Sequence, residues 1–346
     1  LNMEWPALIS TLVAGSDLTS EQAGDALHEI LAGDATDAQI AAFLIALRMK
    51  GETIGEVSAM VDAMLESAAP IELPPGPDAI DIVGTGGAPS RRAHALNVST
   101  MASFVAAGAG ARVVKHGNRK ASSTSGSFDL LEALGIPLEL DGPGIAHCVS
   151  EAGIAFCFAR SFHPAMRHAG PVRTQLGVPT VFNFLGPLSH PARVQRQVIG
   201  VSDQRIAPIV VGVLQQRGAP RALVVSGDDG MDEFTTTTTS TVHELRDGVV
   251  NTTTFDPQDV GIAFVSPDAI AGGGPEVNAD IAGRVFAGES GAYRDIICLN
   301  AAAGLFVAGI VDDLSSGVVK AQESIDSGAA AAVLQRLISA ANDVAN

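Results

Sequence analysis

The sequence predicts an α/β protein, a mainly parallel central sheet flanked by helices, with a smaller all-helical unit at its N-terminus. Three observations predict it. Residues 1–70 show helical periodicity and no strand pattern. Beyond a proline-rich joint at 70–77, short apolar runs alternate with helical segments, the rhythm of a βαβ series whose sheet is covered on both faces. The chain has 346 residues, enough for a large core and for two domains.

In chain order, Thr19-x-x-Gln22, Thr36-x-x-Gln39 and Thr53-x-x-Glu56 each read as a capping box. The threonine accepts from a backbone N–H, and the third residue on reaches back to the cap. Gly33 and Gly51 supply the matching stops. Between them, Ile40, Phe43, Leu44 and Leu47 fall on one face of a helix over 39–50. Residues 79–83 read as a buried strand, 99–107 as a helix of small residues, 112–114 as a strand and 128–134 as a helix. Further strands are expected at 154–159, 197–201 and 222–226. The threonine-rich run 233–241 is strand-like by composition, as are 242–245 and 249–254. The alanine-rich tail is helical, with 293–308 its most buried segment. The Pro- and Gly-punctuated stretch 171–191 interrupts the rhythm and is expected to return to the helical unit. The domains expected are therefore a helical one over 1–75, joined by part of 174–195, and an α/β one over 76–346.

Charge narrows the function. The chain holds 38 acids against 21 Lys and Arg, a net charge of −17, which argues against nucleic acid or an anionic membrane as the partner. Yet no acid occurs between Asp81 and Asp129, or between Glu151 and Asp203. These two windows carry 11 of the 21 cations, among them Arg160, Arg167, Arg173, Arg193 and Arg196. Should they meet in the fold, they form a cationic cleft suited to a small, highly charged anion. The three cysteines, Cys148, Cys157 and Cys298, have apolar neighbours and no Cys-x-x-Cys spacing, and read as buried thiols of a reducing compartment. No leader pattern or membrane-length apolar run is present, so a cytoplasmic protein is expected.

The chemistry gathers on consecutive loops. Gly84-Thr85-Gly86-Gly87 follows a strand, where glycines let backbone N–H groups approach phosphate oxygens. Asn97-Val98-Ser99-Thr100 opens a helix, whose end is either capped by Asn97 or Ser99 or left to bind an anion. Lys115-His116-Gly117-Asn118-Arg119 ends the next strand, followed by Lys120, Ala121, Ser122, Ser123, Ser125 and Ser127. A phosphate ester of this charge travels with Mg2+, which needs carboxylates from outside the acid-free windows. The loop Gly227-Asp228-Asp229-Gly230-Met231-Asp232-Glu233 is the best source.

These segments, with His163-Pro164-Ala165-Met166-Arg167-His168, Arg173 and Phe182-Asn183-Phe184-Leu185-Gly186-Pro187-Leu188, occur in the order of the anthranilate phosphoribosyltransferase family, which the chain resembles over nearly its whole length. The resemblance implies a nucleoside phosphorylase-like phosphoribosyltransferase architecture and transfer of the 5-phosphoribosyl group of phosphoribosyl pyrophosphate to anthranilate, in tryptophan biosynthesis. It implies donor binding by Gly84, Thr85, Gly86, Gly87, Asn97, Val98, Ser99, Thr100, Lys115, His116, Gly117, Asn118, Arg119, Lys120, Ala121, Ser122, Ser123 and Ser127. It places Gly84, His116, Asn118, Ala159, Met166 and Arg173 around anthranilate, and Ser99, Asp232 and Glu233 on Mg2+. A homodimer through the helical part also comes from the family. No acid–base residue is assigned.

The chain departs from the pattern at Ala88, where the family usually has an acid, and in a lengthened loop with Arg91 and Arg92, which are expected to hold pyrophosphate in compensation. Arg160 stands where the family often carries proline. Two other readings are a pyrimidine-nucleoside phosphorylase, disfavoured by the Lys115-to-Arg119 motif and the Asp232-Glu233 pair, and a non-catalytic nucleic-acid binder, disfavoured by the acidity.

Overall fold

The computed structural model describes residues 3–86, 95–119 and 124–345. Its first helices, α1 (Trp5–Val13), α2 (Ser20–Ala32), α3 (Asp37–Lys50) and α4 (Ile54–Glu66), form the N-terminal helical unit. All three capping boxes close as the spacing predicts. Gly33 ends α2 at φ 85°, a conformation that glycine adopts without strain. Glu56 does more than cap. Its buried carboxylate also takes the Lys50 ammonium at 2.9 Å and the Leu18 N–H at 2.9 Å, which ties the α1–α2 connection to α3 and α4.

Beyond the joint come β1 (Ile80–Gly84), α5 (Val98–Gly108), β2 (Val113–Gly117), α6 (Ser127–Ala133), α7 (Gly142–Ala152) and β3 (Ile154–Phe158). The short helices α8 (Ala159–Phe162), α9 (Gly170–Leu176) and α10 (Phe182–Leu188) lead to β4 (Arg196–Gly200), α11 (Ala207–Gln216) and β5 (Arg221–Gly227). A hairpin of β6 (Ser240–Arg246) and β7 (Val249–Phe255) precedes α12 (Pro275–Phe286), α13 (Ala292–Ala308), α14 (Leu314–Asp326) and α15 (Ala329–Ala345).

The strands form one seven-stranded sheet in the order β3-β2-β1-β4-β5-β6-β7. β1 to β5 are parallel, and β6 and β7 antiparallel. The chain builds outward from β1 to β3 and then from β4 in the opposite direction. A sheet that reverses its strand order in this way opens a crevice at the carboxyl ends of the strands beside the reversal.

Side-chain alternation separates two cores. Ile80, Ile82, Val198, Leu223 and Val225 pack with α5 and the C-terminal helices. Val83, Ile199, Ala222 and Val224 pack with the N-terminal helices, α10 and α11. The helical unit thus shares a core with one face of the sheet, and Val172, Phe182 and Leu185 from 171–191 join that same core.

Two sequence readings need correction. Residues 233–239 are not strand; strand geometry begins only at Ser240. The threonine hydroxyls satisfy acids instead of building a ladder. Asp229 accepts from Thr235 and Thr237, and Asp228 from Thr239 and Thr241. β2 also runs on to Gly117, so Lys115 and His116 are strand residues rather than loop residues.

Candidate active site

The carboxyl ends of β1 and β2 open into a cleft of about 910 Å3. Gly84 to Gly86, the amino end of α5, Ala159, Met166, Arg173 and Phe182 line it, as do Asp232 and Glu233. The two acid-free windows therefore meet. Every described residue singled out as a site residue lines this cleft except Val98, which is buried in the α/β core. Gly87, Ala88, Arg91, Arg92, Lys120, Ala121, Ser122 and Ser123 lie outside the described residues.

Only part of the positive charge gathers there. Lys115, Arg119, Arg160, Arg167 and Arg173 line the cleft. Arg112 instead donates to the Pro74 and Pro77 carbonyls at the joint, and Arg196 pairs with Asp78 in a separate small hollow that Arg193 also lines. Arg119 is itself engaged, at 2.8 Å with Glu132 and 3.3 Å with Asp129 on α6. Arg173 stacks on the Phe182 ring at 5.2 Å and has no carboxylate partner among the described residues.

The acidic loop is held rigidly. Asp232 Oδ2 accepts from the Gly86 N–H at 2.6 Å. A Cβ on Gly84 would collide with the Asp232 carboxylate, and one on Gly200 with its main-chain carbonyl. Upstream, Asp229 accepts from the Met231 N–H at 3.0 Å. Downstream, the Asn300 amide brackets Phe234, accepting from its N–H at 3.1 Å and donating to its carbonyl at 2.9 Å.

At the amino end of α5, Asn97 occupies the N-cap position but its side chain makes no capping bond. Its Nδ2 donates to the Ser125 carbonyl at 3.2 Å, and its Oδ1 accepts from Ser125 Oγ at 2.9 Å. The Ser99 and Thr100 N–H groups have no acceptor among the described residues. The Thr85 and Thr100 hydroxyls are also buried without a partner. An open helix amino end flanked by unpaired hydroxyls has the donors and the dipole that suit an anion.

Comparisons with known proteins identify the family. Residues 6–68 match the helical bundle domain of a glycosyl transferase family, and residues 76–331 match its a/b domain. An anthranilate phosphoribosyltransferase of Nocardioides sp. is 53% identical over 341 residues, covering 97% of this chain and 98% of the relative. One from Rhodococcus jostii is 53% identical over 338 residues, covering 96% and 92%. The chain belongs to the anthranilate phosphoribosyltransferase family. Among solved structures, the anthranilate phosphoribosyltransferase of Thermus thermophilus superposes with a TM-score of 0.90 at 40% identity, covering 97% of this chain and 99% of that one. That of Saccharomyces cerevisiae, in complex with PRPP and Mg, gives 0.89 at 28% identity, covering 99% of each chain.

Three histidines pack beside the cleft, with the His116 ring 5.3 Å from that of His163 and 5.6 Å from that of His190. Burial holds all three below the ordinary imidazole range: His163 and His190 fall to about 4, and His116 is lowered well below its usual value, with His163 and His190 adding to the effect. Their tautomers follow from their partners. His116 Nδ1 faces the Gly186 carbonyl at 3.1 Å and so carries the proton, which leaves Nε2 a buried acceptor without a partner. His190 Nε2–H donates to the Val114 carbonyl at 2.8 Å, and its Nδ1 accepts from the Ala192 N–H. Beneath them, burial raises the pKa of Asp81 to about 7 against the pull of Lys115, and burial lowers that of Lys115 against Asp81, Glu233 and Asp232. Lys115 Nζ is anchored on the Ile82 carbonyl at 2.6 Å.

Among the described residues no group of three His, Cys, Asp or Glu side chains could cage a metal. Asp232, Glu233 and Ser99 instead offer a few hard oxygen donors on one cleft. That set fits magnesium, which is held by one or two carboxylates and completed by substrate phosphates and water. Sequence reasoning missed Gly200, Asn300 and His190. A lone glycine, asparagine or histidine far from the motifs carries no charge or spacing signal. Only Gly200, at the end of an expected strand, could have been suspected.

Proposed function

We propose that the chain transfers the 5-phosphoribosyl group of phosphoribosyl pyrophosphate to the amine of anthranilate, giving N-(5-phosphoribosyl)anthranilate and pyrophosphate. The observation that carries this reading is the meeting, in one cleft, of the open amino end of α5, Lys115, the Asp232-Glu233 pair and Arg173, which has no carboxylate partner among the described residues. Yeast relatives with PRPP and Mg, and with 4-fluoroanthranilate, support the same two ligands here.

In this reading the main-chain N–H groups of Ser99 and Thr100, the segment Gly84 to Gly87, Lys115, and Asn118 to Ser123 with Ser127 hold the donor's phosphates. Asp232, Glu233 and Ser99 hold magnesium, which when bound neutralises pyrophosphate charge. Arg173 grips the anthranilate carboxylate through two parallel N–H bonds, with its guanidinium kept in place by the Phe182 ring. Ala159, Met166 and Gly84 wall the aromatic ring, and Asn118 orients the amine with His116 nearby.

As the ribose C1–O bond to pyrophosphate breaks, positive charge develops on the sugar and negative charge on the departing group. The cleft stabilises that charge more than it sharpens a nucleophile. The aryl amine is already neutral, so its lone pair attacks without prior deprotonation. Its proton leaves, to water or the departing pyrophosphate, only after the C1–N bond has made the nitrogen acidic. His116, buried and with a depressed pKa, is not suited to act as a strong base.

The same reading takes 1–75 and part of 174–195 as one domain that forms a homodimer, supported by the exposed Val13 and Met49 on α1 and α3. It also places the enzyme in the cytoplasm; no helix among the described residues is long and apolar enough to cross a membrane. The test follows anthranilate fluorescence with phosphoribosyl pyrophosphate and Mg2+. The wild type consumes the signal and Asp232→Asn slows it at least about tenfold. A wild type that leaves the fluorescence unchanged refutes the assignment.

A further inference from the structure

Behind the cleft, α12 is preceded by Gly272-Gly273-Gly274, a segment with no part in the chemistry above. Gly272 lies directly under the start of the α5 loop, where a Cβ would come within 2.5 Å of the Ala95 carbonyl oxygen and 2.6 Å of the Leu96 nitrogen. In the first turn of α12, Asn278 is fully buried. Its Nδ2 donates to the Ala95 carbonyl at 2.9 Å and to Asn97 Oδ1 at 2.7 Å, while its Oδ1 accepts from the Gly273 N–H at 2.9 Å. Turning the amide over would set oxygen against two acceptors and NH2 against a donor, so only one orientation is admitted.

The consequence falls on Asn97. An asparagine at the N-cap position ordinarily folds onto the N–H groups of the second and third helical residues, a bond worth about 1 kcal/mol. Here those groups belong to Ser99 and Thr100. Asn97 is instead drawn sideways, its oxygen shared between Asn278 and Ser125 and its NH2 on the Ser125 carbonyl. The helix end stays open because its own cap is held away from it.

We propose that Asn278 is a positioning residue for the phosphoribosyl donor: by holding the Asn97 side chain off the amino end of α5, it keeps that end free for a phosphate group. This rests on the reading of α5 as part of the donor site. Released from Asn278, Asn97 turns onto the Ser99 and Thr100 N–H groups and competes with the ligand.

The test measures binding of phosphoribosyl pyrophosphate with Mg2+ by titration calorimetry, and the KM of each substrate, for wild type, Asn278→Ala and Asn278→Asp. Asn278→Asp keeps the volume and the Gly273 contact should the alanine variant fold poorly. Leu337→Ala, in the core of α15, serves as a destabilised control. The expected result is a donor Kd raised about tenfold in both Asn278 variants, with anthranilate KM within about twofold of wild type and both parameters unchanged in Leu337→Ala. Donor affinity unchanged in a folded Asn278 variant, or equal shifts for both substrates, overturns the inference alone. A wild type that does not bind the donor overturns the functional reading and the inference with it.

Discussion

Arg173 and the histidine cluster carry the residue-scale consequences. Replacing Arg173 by lysine keeps the charge but loses the planar fork and its stacking on Phe182. Steady-state kinetics should show anthranilate KM raised at least about tenfold and donor KM nearly unchanged; equal effects on both would remove Arg173 from the anthranilate side. The histidines bear on stability instead. An unfolded imidazole titrates near 6.5, whereas His163 and His190 do so at about 4 in the fold. Between these values the unfolded chain takes up protons that the native state refuses, so stability falls as pH drops from 6.5 toward 4. Asp81 acts with opposite sign. Its carboxyl, raised from 3.8 to about 7, keeps a proton that the unfolded chain has lost, and its penalty grows as pH rises through that window. With His116 also depressed, the three imidazoles outweigh one carboxyl. Thermal melts should show a loss on the order of 2 kcal/mol between pH 6.5 and 5, reduced in His190→Gln.

At the scale of elements, glycines and caps decide where functional groups stand. Gly200→Ala puts a methyl group into the Asp232 carbonyl, and the strand end cannot yield without moving β1 as well, since Gly84 and Gly200 are in register. Turnover should fall at least about a hundredfold while the far-UV spectrum stays near that of wild type, a far larger effect than a surface glycine would give. Glu56→Ala leaves the Lys50 ammonium with Asp17 alone and strands three backbone or hydroxyl donors, and should cost about 3 kcal/mol in denaturant melts, against about 1 kcal/mol for Thr36→Ala. The helical unit was legible in the sequence for this reason: Thr-x-x-Gln and Thr-x-x-Glu boxes are local, and local hydrogen bonds write themselves in spacing. The run 233–239 was misread because threonine favours strands on average, and only the fold shows its hydroxyls turned onto Asp228 and Asp229. The acid-free windows located the cleft but overstated its charge. Arg112, Arg193 and Arg196 lie next to site residues in sequence and away from them in space.

For the molecule as a whole, the two cores on opposite faces of one sheet govern cooperativity. Trp5, the single tryptophan, lies in the core that joins the helical unit to Val83, Ile199 and Val224. Its fluorescence should therefore lose intensity in denaturant at the same midpoint as the helical circular dichroism; a lower midpoint for Trp5 would mean that the helices melt apart from the sheet. This joint core could not be read from the sequence, which showed the helical unit only as a separate block. Periodicity reports which side of an element is apolar, and is silent on which partner covers it.

The open end of α5 has one more consequence. In the proposed donor site, recognition would rest on peptide N–H groups, which no substitution removes short of proline and no pH in the physiological range discharges. Side chains around it can vary widely while the grip on a phosphate persists, provided nothing nearby grows large enough or polar enough to occupy the space. Drift in such a site is limited less by which groups are present than by which are kept out, and a mutation that adds a well-placed hydroxyl or amide would act as a built-in competitor of the substrate.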